Sequence, residues 1–269
     1  MNAGIAVTWL FVPGSRPERF EKALRSGADA VICDLEDSVA PADKALARDS
    51  VAGWLADGGK AWVRINAPGS AWSEEDVLRL AGVRGVLGLM VPKAESPVVL
   101  ADVSRRAGQL PLIALVETAR GVVDAASLAA SPSVARLAFG SIDYAADVQA
   151  VESEQSLLLA RSVLVLASRA AGKPAPIDGV STEVVHMEPV EAAAAYARGL
   201  GFGGKLCVHP RQVPATAAGF APGPAEVAWA QKVVAAGSEK GVVAVDGQMV
   251  DKPVLERARH VLARAGQAP

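Results

Sequence analysis

The sequence has little with which to staple itself, grip nucleic acid or enter a membrane. Its 269 residues include two Cys, three His, five Phe, five Trp and two Tyr. Lys and Arg number 27 against 29 Asp and Glu, a formal charge of −2. No basic excess is left to neutralise phosphates, and so few rings give bases little to stack on, which disfavours a nucleic-acid partner. Cys33 and Cys207 stand alone in the apolar runs AVICDL and KLCVHP. Metal and redox cysteines usually sit close together, so both read as small buried hydrophobes. No apolar run approaches the ~18 residues of a membrane span, and Met1 to Val12 has neither a basic start nor a long apolar stretch. The sequence therefore predicts a cytoplasmic protein with no membrane association.

What is present is a rhythm. Short β-branched or apolar runs alternate with longer Ala/Leu/Arg stretches of helical period up to about residue 210. Candidate strands are Thr8–Val12, Ala30–Asp34, Ala61–Asn66, Val86–Pro92, Pro111–Glu117, Arg136–Gly140, Ala175–Asp178 and Lys205–His209. Between them lie helical patterns at Pro17–Ser26, Ala42–Leu55, Glu74–Leu80, Pro97–Gly108, Val122–Ala130, Gln155–Ala171 and Val190–Leu200. Eight such strands with helical crossovers predict an α/β chain closed into a (β/α)8 TIM barrel over residues 1–212. The segment 213–269 changes character. It opens on the Pro/Gly/Ala stretch VPATAAGFAPGP, then offers a helix at Ala225–Ala236, a hairpin turning on Asp246-Gly247 and a helix at Pro253–Ala265. It is read as a helix-hairpin-helix extension.

Function in such a barrel sits where strands end, and the predicted strand ends are polar. Pro13-Gly14-Ser15-Arg16 follows the first, Asp34-Leu35-Glu36-Asp37 the second, Arg64 and Asn66 end the third, and Lys93 follows the fourth. Glu117 and Asp143 follow the fifth and sixth. Isolated charges are rarely buried, so this many suggests a convergent site. Two carboxylates on adjacent strand ends repel unless a cation lies between them, and oxygen ligands with no His or Cys cluster suit Mg²⁺. The alternative is that Glu117 caps the helix that follows it.

The strings LFVPGSRPERFEKALRSGADAVICDLEDSVAP, VRIN, VPKAES, ALVETARGV, FGSIDYAAD, ARSVLVLASRAAGKPAPIDGV and GFGGKLCVHPRQV closely resemble the citrate lyase beta-subunit-like group of the HpcH/HpaI aldolases and acyl-CoA lyases. They fall in that family's order and cover most of the chain. The resemblance implies a TIM barrel and bound Mg²⁺ (or Mn²⁺). It also implies a carbon-carbon lyase that cleaves or forms a 3-hydroxy-3-carboxy acyl-CoA thioester of citramalyl, malyl or citryl type, with a 2-keto acid as the other partner. It assigns Glu117 and Asp143 as metal ligands and Arg64 as the arginine that engages substrate oxygen. Glu36 and Asp37 become acids near the metal waters, Asp37 with a catalytic part, and Pro13, Gly14 and Arg16 lie on the substrate side. The string GQMVDKP resembles the family's C-terminal segment, which reaches over a neighbouring subunit's site. That makes Asp251 the candidate acid/base and a trimer or hexamer the implied assembly. The alternatives are a CoA-independent aldolase and a carrier-dependent citrate lyase beta subunit. Two positions depart from the pattern: Ile142, where many relatives carry an acid, and Gln149, where Gly is usual.

Other residues carry competing readings. Asp251 also reads as a helix N-cap before Lys252-Pro253. Lys93 invites an imine-forming reading, but the family's VPK lysine is no imine former, which favours pairing with a strand-end carboxylate. Arg16 fits CoA phosphates or the DLED acids equally well. Gly199, Gly201 and Gly204 match GxGxxG in the wrong structural order, after a helix and before a strand, so they read as a helix-to-strand connection. His209 reads as a structural or basic imidazole, and His186 and His260 as surface residues.

Overall fold

The computed structural model describes residues 3–237, 243–245 and 248–266. Eight strands alternate with helices: β1 (Thr8–Pro13), α1 (Phe20–Leu24), β2 (Ala30–Asp34), α2 (Lys44–Ala56), β3 (Ala61–Arg64), α3 (Ser73–Leu80), β4 (Val86–Val91) and α4 (Pro97–Arg106). There follow β5 (Leu112–Val116), α5 (Ala119–Val123), α6 (Ala125–Ala130), β6 (Val134–Phe139), α7 (Ser141–Asp147), α8 (Glu154–Ala170), β7 (Ile177–Asp178), α9 (Glu188–Leu200) and β8 (Gly204–Cys207). Each strand pairs parallel with the next, and β1 pairs with β8, so the sheet closes into an eight-stranded barrel. The expected (β/α)8 architecture is borne out.

The strands form because their residues suit burial on both faces: every residue of β2 and β5 is buried. One set faces the barrel axis, where Trp9 and Trp62 meet edge to face at 5.7 Å among Ile32, Met90, Ile113 and Leu206. Gly88 has no side chain because a Cβ there would lie 2.2 Å from the Trp62 ring. Near the N-terminal end of the barrel, Arg136 is buried. Its guanidinium is satisfied by the carbonyls of Ala6 at 2.7 Å, Ala3 at 2.9 Å and Ala175 at 2.6 Å. Burial draws its pKa down to about 10.

Four local expectations need correction. The seventh strand is only two residues long. The helix expected over Val122–Ala130 is two short helices that divide at Asp124. Residues 141–147 form helix α7, although they carry no long apolar stripe to announce it. The Pro/Gly/Ala stretch contains α10 (Gln212–Phe220), because Pro214 falls in its first turn, where an amide N–H has no intrahelical partner to lose. Gly201 ends α9 in the left-handed region at φ 103°, the connecting role expected of that glycine.

By its contacts the chain divides into two compact units, Met1–Ala217 and Ala218–Pro269. The second contains α11 (Pro224–Ala236), β9 (Val243–Val245), β10 (Gln248–Val250) and α12 (Lys252–Arg264). Its core joins Ala230 and Val233 of α11 to Ala258, Val261 and Leu262 of α12, and Arg257 stacks over Trp229 at 5.0 Å. Strands β9 and β10 pair antiparallel with Gln248 opposite Val245. The turn expected at Asp246-Gly247 lies outside the described residues.

Candidate active site

A cavity of about 420 Å³ opens at the C-terminal ends of the barrel strands. Asp34, Asp37, Arg64, Glu117 and Asp143 line it, with Pro13 and Ser141 beside them. Phe11, Leu115, Phe139, Ile142, Val180, Leu206 and Val208 complete the wall. Residues at or just past the ends of every strand but β4 thus meet in one space, as barrel topology requires.

Arg64 organises one side. Its Nε and Nη2 donate to Asp34 Oδ1 and Oδ2, each at 2.7 Å, a two-pronged pairing that fixes the plane of the guanidinium. The ring of Phe11 lies 4.8 Å from it. Nη1 faces Asp37 Oδ2 at 3.3 Å and Glu36 Oε2 at 3.1 Å. Burial alone would raise the Asp34 carboxyl, but the charge and hydrogen bonds of Arg64, with N–H groups from Glu36 and Ser38, hold it below its ordinary value. Asp34 is therefore a fixed anion, a role that sequence reasoning did not give it.

Glu117 and Asp143 form the other side. Glu117 is 1% exposed at the end of β5, and Asp143 lies half-buried in the first turn of α7. Glu117 does not cap the next helix: Thr118 is the N-cap and accepts from the Gly121 N–H. Instead Glu117 Oε1 accepts from the Lys93 backbone N–H at 2.8 Å. Lys93 makes that bond from a left-handed backbone at φ 48°, a conformation that costs roughly 1 to 2 kcal/mol outside glycine. Gly140 allows the close approach of β5 and β6, because a Cβ there would stand 2.5 Å from both the Cβ and Oε2 of Glu117.

The electrostatics leave this acidic side short of positive charge. Burial, then Glu36 and Asp143, push the Glu117 carboxyl up to about 8 against the pull of Lys93. Burial, then the neighbouring acids Asp37 and Asp34, push Glu36 up to about 7 despite Arg64 and Lys93. Glu36 Oε1 is 3.4 Å from Lys93 Nζ, while its buried Oε2 has no aligned hydrogen-bond partner. Among the described residues, no group of three or more His, Cys, Asp or Glu could hold a metal ion. Two carboxylates on adjacent strand ends, short of compensating charge and facing an open cavity, fit a hard divalent ion that keeps waters or substrate oxygens in its remaining positions.

Not every expected residue lines the cavity. The exposed Arg16 pairs with Glu18 at 3.9 Å rather than with the acids of the β2 loop. Gly14 is a packing residue: its N–H donates to Asp34 O at 2.7 Å, and a Cβ would meet that oxygen at 2.8 Å. Glu36 bridges Lys93 and Arg64 from behind the cavity wall. Asn66 turns away to Asp76 at 2.7 Å. His209 accepts from the Arg211 N–H at 3.2 Å, and both cysteines are buried. Asp251 caps α12, accepting from the Val254 N–H at 3.1 Å. Behind β7, Asp178 pairs with Lys205 and Arg161, each at 2.8 Å, a buried network that periodicity alone does not reveal.

The sequence and the fold have counterparts among known proteins. The model of the HpcH/HpaI aldolase/citrate lyase family matches residues 8–210. A citrate lyase subunit beta-like protein of Mycobacterium tuberculosis is 40% identical over 268 residues, 97% of this chain and 96% of that protein. A (3S)-malyl-CoA thioesterase of Cereibacter sphaeroides is 34% identical over 267 residues, 95% of this chain and 93% of that one. The crystal structure of CitE from M. tuberculosis, in complex with magnesium, acetoacetate and coenzyme A, superposes with a TM-score of 0.89 at 37% identity. That match covers 99% of this chain and 100% of the other. The chain belongs to the HpcH/HpaI aldolase/citrate lyase family, as its motifs suggest, and is an enzyme of the lyase type.

Proposed function

We propose that this protein is a Mg²⁺-dependent carbon-carbon lyase acting on the CoA thioester of a 3-hydroxy-3-carboxy acid, which it cleaves to a 2-keto acid and a shorter acyl-CoA. The observation that carries the reading is the one cavity lined by the charge-deficient Glu117, by Asp143 and by the anchored guanidinium of Arg64. The solved relative with magnesium, acetoacetate and coenzyme A supports both the metal and the substrate class.

Glu117 and Asp143 would hold the ion, whose chemistry when bound is Lewis-acid polarisation of oxygen at the carbinol carbon. Arg64 exchanges the contact of Nη1 with Asp37 for a substrate oxygen while Asp34 keeps its plane fixed. Asp37, released from Arg64, accepts the hydroxyl proton as the carbon-carbon bond breaks. The bonding pair passes to the thioester α-carbon, where Asp251 of another copy in a homo-oligomer, entering the step as the carboxylic acid, donates its proton; solvent then removes the proton from Asp37 and restores the one on Asp251. The apolar wall from Leu115 to Val208 keeps water from the reacting carbons.

Incubation of malyl-, citramalyl- and citryl-CoA with the protein, followed by mass spectrometry, tests the reading. The expected products are keto acid and shortened acyl-CoA, lost on chelation of Mg²⁺ and restored by its return. Release of CoA and intact hydroxy acid without keto acid would instead assign a thioester hydrolase, the activity named for the C. sphaeroides relative.

A further inference from the structure

Two buried cations outside the reaction lie one turn apart on α2. Lys44, 6% exposed, donates its ammonium to two consecutive carbonyls, Leu35 O at 2.9 Å and Glu36 O at 2.7 Å. The Trp72 ring covers it at 5.3 Å. Arg48 donates from Nη1 to Asp76 Oδ1 at 3.2 Å. Fully buried Asp76 uses its other oxygen to accept the Asn66 backbone N–H at 2.9 Å and side-chain Nδ2 at 2.7 Å. Lys44 thus grips the chain just past β2, and Arg48, through Asp76, grips the chain just past β3.

Those two segments carry both halves of one ion-pair cluster. The first brings Asp34, Glu36 and Asp37; the second brings Arg64, two residues before Asn66. An apolar side chain at position 44 would fill the space without the desolvation cost of a lysine, so what the ammonium adds is its hold on two carbonyls. We propose that Lys44 and Arg48 are positioning residues for Arg64, a bracket on α2 that holds the β2 and β3 loops in the register that places Arg64 in the cavity lining. The bracket touches no substrate and acts only through that guanidinium. The proposal rests on the reading of Arg64 as the residue that meets substrate oxygen.

The test is a double-mutant cycle on the full-length Mg²⁺-loaded protein, with pyruvate binding followed by calorimetry. Lys44→Met should weaken pyruvate binding about tenfold or more through misplacement of Arg64, while Mg²⁺ affinity, set by β5 and α7, stays unchanged. In an Arg64→Ala background Lys44→Met should cost nothing further, and Lys44→Arg, which keeps a charged donor, should recover part of the binding. Arg48→Lys should behave as Lys44→Met does and carries the same cycle where the methionine variant fails to fold. Pyruvate affinity that is unchanged in Lys44→Met, or that falls equally with and without Arg64, overturns the bracket. So does a parallel loss of Mg²⁺ affinity. If Arg64→Ala itself leaves pyruvate binding intact, the reading of Arg64 fails and the bracket with it; if Arg64→Ala weakens binding and the bracket variants do not, the bracket alone fails.

Discussion

Lys93 is where two chemistries of carbon-carbon cleavage divide. An imine-forming lysine must lose its proton near neutral pH, which desolvation away from anions achieves. Burial does pull Lys93 that way, but Glu36, Glu117, Asp143 and Asp37 together hold its ammonium above the ordinary value. Borohydride added with pyruvate should therefore leave the protein mass unchanged, and a pyruvate-derived adduct on Lys93 would reinstate the imine. Glu117 gives a second expectation, for the metal-free protein. Burial and the neighbouring acids push its carboxyl up to about 8 in the folded state, above the 4.5 of a free glutamate. Below pH 4.5 both states are protonated and it contributes nothing. Between 4.5 and 8 the unfolded chain releases the proton while the native state keeps it, so stability falls as pH rises. Glu117→Gln should raise the metal-free Tm at pH 8 and hardly at pH 4, and Mg²⁺ should stabilise only the parent. Equal Tm shifts at both pH values would show that the carboxylate is compensated in some other way. These roles were partly legible beforehand, because a charge ending an apolar strand is visible in a string. The pairing of Asp34 with Arg64 was not, since it depends on the register between β2 and β3.

The β6-to-α7 junction shows what a short element hides. Helix α7 has seven residues and no apolar stripe to mark it, yet it carries Asp143 and ends just before Gln149, whose φ is 56°. That value explains why glycine suits this position: a left-handed conformation is strained for glutamine and free for glycine. Gln149→Gly should stabilise the protein by about 0.5 to 1 kcal/mol, read from urea unfolding. No change would mean that the loop relaxes elsewhere. Gly140→Ala should act on the site instead. Its new methyl would meet the Glu117 carboxylate at 2.5 Å, so Mg²⁺ affinity should drop by about tenfold or more. Retained affinity would show that β5 and β6 can separate without cost to the ligand pair. The long strands and helices were readable because hydrophobic periodicity accumulates with length. The two-residue β7, the break at Asp124 and α10 were not, because turns and proline positions decide them.

At the scale of the molecule, the question is what the second unit does for the first. Asp251 caps α12 from an extended backbone, with its side chain accepting the Val254 N–H, so a structural role is already established for it. That role does not exclude chemistry, since one carboxylate oxygen makes the cap and the other is left for a ligand. The two roles separate in Asp251→Asn, because asparagine caps a helix about as well as aspartate but neither gives nor takes a proton. If Asp251 serves the thioester α-carbon, kcat should fall by roughly 10²-fold or more with Tm unmoved; a residue that only caps predicts parental values for both. Oligomeric assembly adds a sharper measurement. Mixed oligomers of Asp251→Asn and Glu117→Ala subunits contain intact sites only where one copy's second unit serves another copy's barrel. Recovery of activity on mixing two inactive variants would show such sharing. A light-scattering mass of one chain with full activity would remove it, as would a fully active Asp251→Asn protein, and either result would turn attention to acids of the barrel itself, Asp37 first.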